Sequence, residues 1–284
     1  MIITGSARLA GIVGWPVSHS LSPLLHGSWL SELKIDGVFI PLAVRREDFA
    51  RVMRGLSLSG FKGVNVTVPH KEAAFALAHR CDAEAQGAGA ANLLLFGEDG
   101  SYEARNTDSV GLAASLRTAL GTALRGKNAV LLGAGGAARA AVRALDRLGI
   151  KRITILNRNA ARAETLVREL APQTKCELSA VPFSGWPDIA PSVRLLVNAT
   201  SAGMKGNGAL KLSLDGLAKE AAVCDLVYNP LETMLLKDAR KRGHRTVDGL
   251  GMLIEQAVPA FEAFFGQKPS VTPKLRKSLE KALA

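Results

Sequence analysis

Cysteine is scarce in this chain of 284 residues: Cys81, Cys176 and Cys224 are the three present, far apart and odd in number. They exclude a disulfide framework and show no metal-ligand spacing, so they read as buried, reduced thiols and no metal is expected. No apolar run reaches the ~18 residues needed to cross a bilayer, and residues 1–11 lack the charged start and apolar core of a signal peptide. The expectation is a soluble, cytoplasmic protein with no membrane partner. Also missing is any basic block interleaved with aromatics, any zinc-finger spacing and any RNA-binding signature, which argues against nucleic acid as a partner despite a formal charge of +11. Acidic residues run short mainly in the middle: residues 1–107 hold ten basic and ten acidic side chains, 108–248 hold 21 and 12, and 249–284 hold five and three. What is plentiful is apolar residues, 48% of a chain long enough for two domains. The oligomeric state stays open between monomer and homodimer.

The basic middle also holds the most informative run, Asn128 to Arg162. Ala129 to Leu132 is an apolar stretch bounded by Gly133, as a buried parallel strand should be. From Ala137 the apolar residues recur at helical spacing through Leu148, with Arg139, Arg143 and Arg147 on the other face and Gly149 as the stop. Lys151 to Leu156 supplies a second strand. Gly133, Gly135 and Ala138 fit G-x-G-x-x-(G/A) between strand and helix, where the glycines admit a tight turn and a close pyrophosphate, and the helix N-terminus offers free N–H groups. An NAD site carries Asp or Glu at the end of the second strand, about 20 residues on. Here stand Asn157 and Arg158, with Arg162 one turn later. A guanidinium grips a 2′-phosphate that a carboxylate would repel, so the expected cofactor is NADP.

Before this unit, strand and helix signals alternate. Strands are expected at Leu9–Val13, Val38–Val44, Gly63–Val68 and Ala91–Phe96. Helices are expected at Ser22–Leu33, with Ser22 as N-cap, on the face of Phe49, Val52, Met53 and Leu56, and at His70–His79. A turn at Glu98-Asp99-Gly100 and a loop from Ala104 to Asp108 close the series. After Arg162 come a helix to Leu170, strands at Arg194–Asn198 and Val223–Val227, and helices at Thr233–Arg242, Gly249–Phe265 and from Thr272. The fold class is therefore α/β with two domains: a mostly parallel N-terminal domain, residues 1–107 plus 249–284, which the resemblance described below makes the substrate domain, and a Rossmann NADP domain, residues 108–248. The C-terminal helices return to the first domain.

Five places gather polar residues beyond what packing needs: Trp15 to Pro23 with Ser20 and Ser22, Asn65 to Lys71 with Thr67, Ala91-Asn92, Asn106-Thr107-Asp108, and Asp248 to Gln256. Strand ends are where α/β proteins bind ligands, and hydroxyls there hold polyols or carboxylates. Each could equally be a turn or a cap. Beside a nicotinamide, reduction of a ketone needs a proton donor, and a lysine with an aspartate, such as Lys71 with Asp108, can be that acid.

Taken together, S-x-S-P, N-V-T-V-P-x-K, N-T-D, G-A-G-G-A, N-R, L-V-Y-N-P and G-L-G-M-L-x-x-Q, in this order from Leu9 to about Pro269, resemble the shikimate dehydrogenase family. The resemblance implies NADP-dependent interconversion of 3-dehydroshikimate and shikimate on the way to chorismate and the aromatic amino acids. It implies substrate contacts from Ser20, Ser22, Thr67, Lys71, Asn92, Asp108, Tyr228 and Gln256, with Lys71 and Asp108 as the catalytic dyad. It implies a cofactor held by Gly133, Ala134, Gly135, Gly136, Ala137, Asn157, Arg158 and Arg162, with Leu226 and Gly249 flanking the nicotinamide. The chain departs from the family pattern at Trp15, Leu93 and Asn159, and the first two are expected to reshape the pocket. The alternatives are a quinate/shikimate dehydrogenase or paralogue with broader substrate or NAD use, and a non-catalytic NADP-sensing protein.

Overall fold

The computed structural model describes residues 3–283. Its contacts group the chain into two units, one made of the segment up to Thr107 with Ile254–Ala282, the other of Asp108–Leu253.

The first unit runs β1 (Arg8–Gly14), α1 (Ser22–Glu32), β2 (Gly37–Ala43), α2 (Phe49–Leu58), β3 (Phe61–Val66), α3 (Lys71–Leu77), β4 (Arg80–Cys81), α4 (Ala83–Ala88), β5 (Leu93–Phe96) and β6 (Tyr102–Arg105). Its sheet has the order β2-β1-β3-β5-β6-β4, with β1 parallel to β2 and β3 but β5 antiparallel to both β3 and β6. The expected turn at Glu98-Asp99-Gly100 closes the β5–β6 hairpin, with Gly97 N–H bonded to Ser101 O at 2.8 Å. Strands β4 and β6 and helix α4 were not legible in the sequence, because two to six residues are too few for a periodic signal. Ser22 is not the N-cap: Leu21 holds that position without a side-chain cap, and Ser20 Oγ accepts the Ser22 N–H at 3.2 Å instead. Strand β3 ends at Val66, two residues short of the expected end, although the Thr67 N–H still bonds Val13 O and Val68 O still accepts the Trp15 N–H.

The second unit continues with α5 (Asp108–Leu120), β7 (Asn128–Leu132), α6 (Gly136–Arg147), β8 (Arg152–Leu156), α7 (Ala160–Leu170), β9 (Glu177–Val181), α8 (Trp186–Ile189), β10 (Leu195–Asn198), β11 (Ala222–Asp225), α9 (Met234–Lys241) and β12 (Arg245–Val247). All its strand pairs are parallel, in the order β12-β11-β10-β7-β8-β9. This is the doubly wound arrangement, and its order reverses between β7 and β10. Alternate residues of β7 go to opposite faces: Ala129 and Leu131 join one apolar core with α5 and α6, while Val130 and Leu132 join the other with Trp186 and Leu235. Burial on both faces is why the strand reads as an unbroken apolar run. Helices α10 (Gly249–Phe265) and α11 (Pro273–Leu283) end the chain, and among the described residues no helix is long and apolar enough to cross a membrane.

In the first unit α1, β2 and α10 meet around His26, whose ring stacks on Phe39 at 3.9 Å and packs against Trp29 and Phe261. The imidazole is fully buried, and among the described residues neither ring nitrogen has a hydrogen-bond partner. Burial therefore pushes its pKa from 6.5 down to about 3. The unfolded chain takes up this proton near pH 6.5 and the folded chain does not, so stability present above that pH is lost as pH falls toward about 3. Between pH 7 and pH 5 the denaturant midpoint of the native protein should report a loss about 2 kcal/mol larger than that of His26→Phe.

Candidate active site

In the second unit the turn after β7 opens toward the start of α6. Gly133 has φ +108°, and a Cβ there would lie 3.0 Å from Thr200 Cγ2 and 3.1 Å from Ala199 O, so the loops after β7 and β10 touch where the strand order reverses. Gly135 is the N-cap of α6, and a Cβ on it would meet nothing within 4 Å. The helix thus presents its first N–H groups to open space, with Ala134, Gly136 and Ala137 half-buried around them.

At the end of β8, Asn157 donates from Nδ2 to Asn159 O at 2.9 Å. Asn159 caps α7 by accepting the Arg162 N–H at 3.3 Å. Arg158 and Arg162 are exposed, and among the described residues no carboxylate pairs with either guanidinium. Free guanidiniums and a helix N-terminus form a donor set that fits a nucleotide carrying a 2′-phosphate.

The other half of this sheet holds a polar cluster that went unread in the sequence. Asp225, 1% exposed at the end of β11, accepts at Oδ1 from Asn198 Nδ2 (2.9 Å) and from the Val227 N–H (3.1 Å), and at Oδ2 from the Thr233 hydroxyl (2.6 Å). Asn198, wholly buried at the end of β10, accepts from the Thr200 N–H at 3.1 Å and from the Thr200 hydroxyl at 2.7 Å. Burial raises the Asp225 pKa while the three hydrogen bonds oppose that rise. The one signal available was a polar residue closing each of two apolar strands, LLVN and AVCD. Beside them Leu226 N–H bonds Asn198 O at 3.0 Å, and Leu226 and Tyr228 are half-buried. Gly249, the first residue of α10, lies so close that a Cβ would stand 2.3 Å from Leu226 O.

In the first unit the polar residues gather at one edge of the sheet. Because β5 runs antiparallel to β3, the start of β5 and the end of β6 share the edge reached by the carboxyl ends of β1 and β3. Asn92, Thr107 and Gln256 are all buried. Asn92 Nδ2 donates to Thr107 Oγ1 at 2.9 Å and to Gln256 Oε1 at 3.2 Å, and Asn92 Oδ1 accepts the Thr107 N–H at 2.8 Å. Asn92 O accepts from Val66 N–H and from Asn65 Nδ2. Lys71 opens α3, and its carbonyl accepts the Ala91 N–H at 2.9 Å, one residue from Asn92. Thr67 N–H reaches Val13 O at 2.9 Å, and a Cβ on Gly14 would lie 2.5 Å from Thr67 Cγ2, so the serine-bearing loop after β1 starts against Thr67.

Asp82 caps α4 through the Ala85 N–H and also accepts the Asn106 N–H at 3.3 Å, steadying the segment that leads to Thr107. Asp108 is buried at the start of α5 in the second unit. Thr107 and Asn65 belong to this network although neither was singled out; only their place in polar clusters hinted at it. Leu93 is wholly buried. Trp15 stays 45% exposed with the Arg45 guanidinium 5.3 Å above its ring.

A doubly wound parallel sheet with an open glycine turn and unpaired arginines at the end of its second strand, joined in one chain to a unit with a buried amide and hydroxyl network, defines a pyridine-nucleotide oxidoreductase. Three family descriptions match: the shikimate dehydrogenase substrate binding domain over residues 12–94, the shikimate / quinate 5-dehydrogenase over 115–205, and the shikimate 5'-dehydrogenase C-terminal domain over 249–278. The shikimate dehydrogenase (NADP(+)) of Methylobacterium radiotolerans is 49% identical over 97% of both chains. The shikimate 5-dehydrogenase of Thermus thermophilus, solved with NADP(H) and shikimate, is 35% identical with a TM-score of 0.86, covering 98% of this chain and all of its own. A quinate dehydrogenase from Corynebacterium glutamicum, solved with NAD, is 28% identical with a TM-score of 0.89, covering 97% and 99%. The chain belongs to the shikimate dehydrogenase family.

Gly249→Ala forces a methyl group into the backbone of Leu226. Thermal unfolding should show it destabilised by about 2 kcal/mol, the scale of overpacking, and a fluorescence titration should show weaker NADPH binding.

Proposed function

We infer that Lys71 and Asp108 are the acid–base pair of an NADP-dependent shikimate dehydrogenase, interconverting 3-dehydroshikimate and shikimate on the route to chorismate. The activity and the cofactor follow from family membership; the residue assignments are our reading. The observation that carries it is the hydrogen bond from Ala91 N–H to the Lys71 carbonyl, which sets the lysine at the start of α3 beside the buried Asn92–Thr107–Gln256 network.

In this reading the hydroxyls of Ser20 and Ser22 take the substrate carboxylate; Ser20 Oγ accepts the Ser22 N–H and keeps its own proton for the ligand. Thr67, Asn92, Asp108 and Gln256 take the ring hydroxyls, and Tyr228 lies beside the reacting carbon. NADP, when bound and reduced, supplies the hydride that goes to the C3 carbonyl carbon. Lys71 gives the C3 oxygen its proton in that direction and takes it back in the other, with Asp108 as its carboxylate partner. The residues from Gly133 to Ala137 would hold the pyrophosphate and Asn157, Arg158 and Arg162 the 2′-phosphate, with Leu226 and Gly249 on either side of the nicotinamide's place. The same reading places the enzyme in the cytoplasm.

Lys71→Ala should lower kcat about 100-fold or more while leaving NADPH binding intact; near-normal turnover by a folded variant would remove the lysine from the mechanism. Arg158→Ala should raise the KM for NADP about tenfold and leave that for NAD nearly unchanged, as expected for loss of a charge-assisted hydrogen bond. Absorbance at the NADPH band with shikimate against quinate, and NADP against NAD, separates this reading from the broader quinate/shikimate enzyme, which would reduce cofactor with both substrates.

A further inference from the structure

We propose that Asp225 is a positioning residue for the nicotinamide half of the cofactor, holding the backbone of the loops after β10 and β11 in the shape that receives it. The inference rests on the NADP reading. In a doubly wound sheet each half takes one mononucleotide across the point where strand order reverses. Here the glycine turn and Arg158 belong to the β7–β8 half, which leaves the loops after β10 and β11 for the other nucleotide.

One carboxylate ties both of those loops. Through Asn198 it reaches the Thr200 N–H and hydroxyl, and Asn198 Nδ2 also meets Ala202 O at 3.2 Å, so residues 199–202 are folded around one amide. Directly, it takes the Val227 N–H at 3.1 Å, which orients Leu226 and the segment leading to Tyr228. Its second oxygen takes the hydroxyl of Thr233, which in turn accepts the Leu236 N–H at 3.3 Å and caps α9. The loops so held are packed tightly: Gly133 stands against Ala199 and Thr200, and Gly249 against Leu226. A shift in either loop would therefore move the turn or helix that abuts it.

Packing alone does not call for a carboxylate here. Asp225 is 1% exposed, its strand neighbours Val223 and Cys224 are fully buried apolar residues, and an apolar side chain in such a place is often as stable as a buried charge or more so. What an apolar side chain cannot do is accept three hydrogen bonds from three different segments. All three donors belong to strand ends, loops or caps at the ligand-binding edge, and none to the sheet interior.

Asp225→Asn keeps the shape but replaces one accepting oxygen with a donor. The test compares the affinity of each folded protein for NADPH, by fluorescence titration, and for adenosine 2′,5′-bisphosphate, which carries only the adenosine half. NADPH should bind about tenfold more weakly to the variant, the scale of one lost hydrogen bond to a charged group, while the bisphosphate binds within about twofold of the native protein. With C3-deuterated shikimate the isotope effect on kcat should rise, because a misplaced nicotinamide makes hydride transfer more rate-limiting. Equal weakening toward both ligands, or unchanged NADPH affinity and isotope effect, would overturn the proposal. Should Asp225→Asn fail to fold, Thr233→Val removes a single bond to the carboxylate and should give the same selective loss at smaller size, restored by Thr233→Ser. A native protein with no affinity for the bisphosphate would instead overturn the NADP reading and leave the role of Asp225 without a ligand.

Discussion

A polar side chain at the end of a buried strand has lost its water and must find its hydrogen bonds inside the protein. Both units are arranged around that constraint. In the first, Asn92 lies just before β5 with no solvent to bond, and it is satisfied by Thr107, 15 residues on, and by Gln256 from the unit's second segment. In the second, Asn198 and Asp225 close adjacent strands and satisfy each other. Each cluster sits at the edge where parallel strands end, so the groups that keep the fold intact also shape the surface a ligand would meet.

The charge of the chain follows a related economy. Most arginines of the second unit with an acidic neighbour use it: Arg139 pairs with Glu169, Arg152 with Glu177, Arg240 with Glu232, and Arg242 with Asp215 and Asp238. These pairs are largely exposed and each contributes little to stability. Arg158 and Arg162 differ in that, among the described residues, no carboxylate is placed against them. The basic excess of residues 108–248 is thus spread largely over a solvated surface.

Local rules explain what could be read early. The β7–α6–β8 unit spans about 30 residues, and its apolar run, glycine turn, helical periodicity and stop all act within that window. The same holds for α1, α2, α9, α10 and the turn of the β5–β6 hairpin. The two-residue β4, the four-residue β6 and the three-residue β12 carry too little pattern to register and exist because neighbouring strands offer them ladders. Ser22 looked like an N-cap because serine before a Pro-led helix commonly is one, but the preceding Ser20 supplied the acceptor and Ser22 joined the helix. Leu93 and its neighbour Leu94 are both wholly buried at the start of β5.

The amino-acid sequence by itself determined the two-unit α/β architecture, the nucleotide turn and the arginines in place of a carboxylate, since each depends on neighbours within a few turns of chain. Only the tertiary structure decided which polar ends meet. Asn92 bonds Gln256 across 164 residues, and Asp225 joins Asn198 across 27. Such pairings come from strand order and the close approach of loops at Gly133 and Gly249, which no spacing in one dimension encodes.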